Sequence, residues 1–209
     1  MTTSTPTETE RGRTLSVAMS ARDLITIGIF AALYVVLFFA VTMLGFLNPV
    51  MMLGSLALSI LVGAIPFLLF LTRVKHAGMV TLFAVVLGAV FTVTGYPAVA
   101  VATVIGLSLV VEVILWVTRY GSRWAGVASY AVFAAWYATP LLPLFYAREE
   151  YFSSPSMARM GPEYTAGLDA FLSPGVLIAF NVATVVLGLV GGVIALGLLR
   201  KHFTRAGLA

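Results

Sequence analysis

The chain has 209 residues, 61% hydrophobic and only 10% charged, with 12 Lys and Arg against 8 Asp and Glu. Its mean hydropathy of +1.06 lies far beyond the make-up of soluble domains, which are roughly half apolar. One domain fits this length; the lack of cysteine excludes disulfides, thiol catalysis and Cys-based metal sites, and a net charge of +4 scattered through short loops speaks against nucleic acid.

Residues 1–21 are polar, rich in Thr, Ser and Arg, and read as a disordered cytoplasmic tail. The apolar run Leu24–Leu47 is 24 residues long, enough to cross a bilayer core of ~30 Å. A secretory signal has a shorter apolar core, so this run reads as an uncleaved first span. Asn48-Pro49 breaks the next apolar tract, because proline disfavours helix at the residue before it. A second span therefore covers about 50–72 and ends at Arg73, Lys75 and His76. A third, short one covers 78–94 before the turn Gly95-Tyr96-Pro97. The fourth covers 98–118 and the fifth 124–146. An outer loop at 147–174 carries four acids, two arginines and Pro155, Pro162 and Pro174 as punctuation. The sixth span covers 175–199, stops at Arg200-Lys201-His202, and leaves a short tail at 203–209.

Charge orients these spans. Arg11, Arg13, Arg22, Arg73, Lys75, Arg119, Arg123, Arg200, Lys201 and Arg205 all fall on one side if there are six spans. Only Arg148 and Arg159 fall on the other, in a loop that is net acidic. The positive-inside rule then makes both termini cytoplasmic, in a multi-pass protein of the cell membrane. A β-barrel would need many alternating strands of about ten residues, and these runs are continuously apolar. The expected fold is an all-α integral membrane protein with six transmembrane helices.

Few residues stand out chemically. Gly28 and Ala32 lie four apart on the first helix with Ala31 beside them, a small-residue face that allows either internal packing or docking of a separate protein. Gly188, Gly191 and Gly192 on the last helix read as internal packing. Glu112 is the one acid inside a span, and its nearness to Arg119 favours a structural or coupling role over ligand binding. The stretch Tyr130–Phe152 holds Trp136, Tyr137, Pro140 and Pro143 and leads into Arg148, Glu149 and Glu150. Together with Tyr96 and Asn181, which share its outer depth, it reads as a small-molecule site. Interfacial settling of Trp and Tyr is the competing explanation for the aromatics. No nucleophile–base pair, metal-ligand cluster, P-loop or GxGxxG occurs, so no catalytic residue, metal or cofactor is expected and the chain is read as no enzyme.

The blocks DLITIGIFAALY (Asp23–Tyr34), GAIPFLLFLTRVKHAGMVT (Gly63–Thr81) and YAVFAAWYATPLLPLFYAREEYF (Tyr130–Phe152), with GPEY at Gly161–Tyr164, resemble the Trep_Strep or MptD-type family. That family is regarded as substrate-binding S components of energy-coupling factor transporters. The resemblance implies capture of a vitamin or other micronutrient in an outward-facing pocket. It also implies partnership with a transmembrane T component and two cytosolic ATPase subunits. In the family, small residues four apart on the first helix dock the T component; the matching positions are Gly28 and Ala32, with glycine in place of the usual first alanine. S-component pockets are lined by helices four to six and outer loops, which would draw in Tyr96, Trp136, Tyr137, Arg148, Glu149 and Asn181. The rival expectation is a stand-alone ion-coupled transporter or channel that uses Glu112.

Overall fold

A computed structural model describes residues 19–74, 76–119 and 121–205. The expectations for residues 1–18 and 206–209, and those resting on Arg11, Arg13 and Lys75, lie outside the described residues.

Several helices start where the sequence supplies a side-chain amide acceptor. Helix α1 (Ala21–Thr42) opens on a capping box: Ser20 Oγ accepts from the Asp23 amide, and Asp23 Oδ2 accepts from the Ser20 amide at 2.8 Å. It begins inside the tail expected at 1–21. A 3-10 segment (Met43–Phe46) extends it. Helix α2 (Pro49–Leu71) has Pro49 in its first turn and Asn48 as cap, whose Oδ1 accepts from the Met51 amide at 2.8 Å. Helix α3 (Met79–Val93) follows Gly78, held at φ +90°, a conformation that suits glycine. Helices α4 (Ala98–Val117) and α5 (Arg123–Ala134) come next.

The fifth apolar run is not one α-helix as expected for 124–146. After Ala134 it winds as a 3-10 helix, Ala135–Phe145. Pro140 and Pro143 account for this: in an α-helix their rings would clash with the carbonyls four residues back, those of Trp136 and Thr139, and each lacks the N–H of an α-helical bond. An α-helix would leave the Trp136 carbonyl waiting for the absent amide of Pro140. Here the Thr139 hydroxyl donates to that carbonyl instead, at 2.7 Å.

Residues 147–174 are not an open loop. They form short helices α6 (Arg148–Ser153), α7 (Pro155–Ala158) and α8 (Pro162–Phe171). The prolines that read as punctuation sit at helix starts, where a missing N–H costs nothing. Helix α9 (Pro174–Arg205) completes the chain and runs further than the 175–199 expected.

Among the described residues five apolar segments are long enough to cross a membrane: Ala21–Phe46, Pro49–Leu71, Ala98–Val117, Arg123–Phe145 and Pro174–Lys201. The sixth, α3, has 15 residues, or about 22 Å, short of the ~30 Å core. The chain is a multi-pass membrane protein. Helix α2 lies against α1, α5 and α9, while α3 joins α1 to α4. Close approach needs small residues, and α9 supplies them. A Cβ on Gly188 would stand 2.8 Å from Ala131 Cα, and one on Gly191 3.2 Å from Leu61 Cα. Aromatic rings fill the centre, with Phe67 stacked on Phe133 at 4.7 Å and Phe70 on Phe83 at 4.8 Å. The outside is apolar, as Ile25, Ile29, Val113, Val182 and Val186 show, which suits lipid rather than water.

Candidate functional site

Successive long helices run in opposite directions, so their ends gather into two groups. At one end, His76 Nε2 lies 3.6 Å from Asp23 Oδ2, tying the start of α1 to the α2–α3 connection. Leu71, Arg123 and Leu199 meet at the same end. Arg22, Arg73, Arg119, Arg200 and Lys201 occupy helix ends there. At the opposite end, the close of α1, the start of α2, the α3–α4 turn and the 3-10 segment surround a cavity of about 600 Å³. That volume suits a small molecule.

The cavity is floored by a chain of hydroxyls. The Trp136 indole N–H donates to Tyr34 Oη at 3.3 Å, Tyr34 Oη donates to Tyr137 Oη at 2.9 Å, and Tyr137 Oη donates to the Ser59 carbonyl at 3.2 Å. Beside it Tyr130 Oη donates to the Ile60 carbonyl. Three tyrosines converge on one turn of α2 because residue 63 has no side chain. A Cβ on Gly63 would stand 2.9 Å from Tyr137 Oη, 3.1 Å from Tyr130 Oη and 3.2 Å from Tyr34 Cε2. Phe38, Phe91, Tyr96 and Tyr137 pack round Trp136 or one another with centroids 4.5–6.3 Å apart.

The wall owes its shape to 3-10 winding. At three residues per turn, side chains three apart eclipse one another. Tyr137, Pro140, Pro143 and Tyr146 follow that spacing, and all four line the cavity. The cover is α6 to α8. Leu168 and Leu172 are fully buried against Ala138, Leu141 and Leu177, and Tyr164 Oη donates to the Gly45 carbonyl at 2.7 Å. Burial pushes the Tyr151 hydroxyl up to about 12 and the Tyr96 hydroxyl higher still, so both stay neutral donors at physiological pH.

The residues singled out from sequence divide. Tyr96, Trp136 and Tyr137 line the cavity together. Arg148 does not. Its guanidinium donates to Asp169 Oδ1 at 2.6 Å, the Leu172 carbonyl at 2.9 Å and the Asp169 carbonyl at 2.5 Å, fastening α6 to the end of α8. Glu149 is exposed beyond the lining, whereas its neighbour Glu150 lines it. Asn181 Nδ2 donates to the Leu177 carbonyl one turn back on its own helix. Gly28 and Ala32 are exposed, with nothing within 4 Å of a Cβ on Gly28; Ala31 is fully buried and faces the core instead.

Glu112 sits at the start of α3. Its Oε1 accepts from the amides of Val80 at 2.8 Å and Thr81 at 3.2 Å. Gly78 brings no capping side chain, so a carboxylate from α4 serves the first turn. Sequence reasoning did not single out Phe38, Tyr151 or Tyr164. Phe38 lies in an unbroken apolar run and carries no signal. Tyr151 and Tyr164 could have been found as aromatics in an otherwise polar stretch. Among the described residues no group of three or more His, Asp or Glu gathers as metal ligands.

A family model described as a hypothetical bacterial integral membrane protein (Trep_Strep) matches residues 21–205. The chain belongs to that family. Comparison with curated proteins and with solved structures gives no match. The matched range takes in all the long helices, the Tyr34–Tyr137 floor and the α6–α8 cover.

Proposed function

We propose that the protein is the substrate-capture (S) component of an energy-coupling factor importer, taking a vitamin-like or other small micronutrient from outside the cell. The observation that carries this reading is the covered, aromatic cavity at the end opposite the basic helix ends. With those basic ends in the cytoplasm, both termini are cytoplasmic, α3 counts as the sixth crossing, and the cavity faces outward. The ligand is held by ring stacking and neutral hydroxyls, and no covalent chemistry is involved. The sequence holds no nucleotide-binding motif, which leaves a gradient or partner subunits as the energy source; in this reading the partners are a transmembrane T component and two cytosolic ATPase subunits.

Co-expression with a T component and ATPase pair, followed by affinity purification, tests the reading. A four-subunit complex that takes up solute only with hydrolysable ATP is the expected result. Uptake by this chain alone in proteoliposomes would sink it. Native mass spectrometry of the purified protein would then identify the co-purified solute by mass.

A further inference from the structure

We propose that the cavity selects a small, ring-bearing organic cation, with Glu150 as the residue that sets this preference. The inference rests on the capture reading and names the class of solute. Three features converge on it. Aromatic side chains that keep accessible surface line the cavity, among them Tyr96, Tyr146 and Tyr151. The negative faces of such rings attract cations, Trp and Tyr more strongly than Phe. Burial keeps the Tyr96 and Tyr151 hydroxyls neutral, so they add dipoles and no competing charge.

The charge balance points the same way. Among the described residues Glu150 is the one charged side chain lining the cavity, and no Lys or Arg joins it. Its sequence neighbour Arg148 is withdrawn: its guanidinium is spent on Asp169 and the Leu172 carbonyl, and lies 5.5 Å from the Phe152 ring centroid. An anion entering this space would meet aromatic rings and a carboxylate, with no cation among the described lining residues to offset them. A cation would meet both with attraction. The thioethers of Met157 and Met160 complete a soft, adaptable wall.

The test uses isothermal titration calorimetry on the full chain in lipid nanodiscs at pH 8, with empty nanodiscs as blank. Three flat probes of similar size are compared: N-methylquinolinium (cationic), quinoline (neutral at this pH) and 2-naphthoate (anionic). N-methylquinolinium should bind about tenfold more tightly than quinoline, and 2-naphthoate most weakly. Glu150→Gln should remove most of the cation preference; Glu150→Lys should shift the preference toward 2-naphthoate. Glu150 is exposed, so neither variant disturbs the core. Equal binding of cation and neutral probe, best binding of the anion, or a preference that survives Glu150→Gln overturns the cation assignment and leaves the capture reading standing. No binding of any probe likewise overturns the cation assignment, and the co-expression experiment then decides the capture reading separately.

Discussion

The hydroxyl of Tyr34 on α1 donates to the hydroxyl of Tyr137 on the 3-10 segment, 2.9 Å away and 103 residues later in the chain. This bond joins the first and fifth spans in a place that water does not reach, since both residues are buried. Tyr34→Phe leaves the indole N–H of Trp136 without its acceptor, at a cost of about 1–3 kcal/mol. Tyr137→Phe strands the Tyr34 hydroxyl instead. Because the two changes break one chain of bonds, the double variant should lose less stability than the sum of the single ones. Thermal unfolding in detergent, followed by tryptophan fluorescence, reads all three.

Gly63→Ala should destabilise the protein by about 1–3 kcal/mol, because its methyl group would press on three tyrosine side chains at once. It should also weaken solute binding, since Tyr137 belongs to both the floor and the lining. Gly54→Ala on the same helix, with open space around it, is the control and should change neither. Equal melting temperatures for the two variants would contradict the close approach at Gly63.

Glu112→Leu removes the acceptor for the first amides of α3 and should cost about 0.5–2 kcal/mol. Glu112→Gln keeps an oxygen there and should stay near the parent in stability. Under the proposed capture role, uptake with ATPase partners should also match the parent. Transport lost in Glu112→Gln at unchanged stability would favour ion coupling over capping.

If the proposed capture role holds, Gly28→Leu with Ala32→Leu should abolish co-purification with a T component while leaving solute binding intact. Both positions are exposed on α1, so bulk there does not reach the core. Ala31→Leu should instead unfold or weaken the bundle, because that residue is fully buried. Unchanged complex assembly in the double variant would place the docking face elsewhere.

The tyrosines of the cover give a pH signature. The folded Tyr151 hydroxyl titrates at about 12, above its value near 10 in an unfolded chain. The sign follows from linkage: above about pH 10 the unfolded chain releases a proton that the folded one retains, so stability falls. Stability should be insensitive to this group below pH 10 and decline toward pH 12, with Tyr151→Phe flattening the decline. Circular dichroism across pH 8–12 measures it.

Breaks in the chain were legible wherever a residue forces the backbone. Asn48-Pro49 caps and starts α2, and the turn at Gly95-Tyr96-Pro97 separates α3 from α4, as their chemistry dictates. The span positions followed from apolar length alone. Partners of polar groups were far less legible, because they depend on which helices become neighbours. Arg148 read as a ligand anchor, yet Asp169 and a helix end capture it. Asn181 stands at the expected depth, but its amide satisfies its own helix. Tyr34 sits in an apolar run that any bilayer span could contain, so its place in the floor emerges only when α5 and the 3-10 segment come alongside.

The 3-10 winding of Ala135–Phe145 couples reach to rotation. At about 2.0 Å per residue, its 11 residues extend roughly 5 Å further than an α-helix of the same length. Rewound as an α-helix, the row from Tyr137 to Tyr146 would also turn through about half a circle, carrying Tyr146 to the far side. Pro140 and Pro143 therefore act as a gauge: they set how far this wall stands above the floor and which way its outermost ring points.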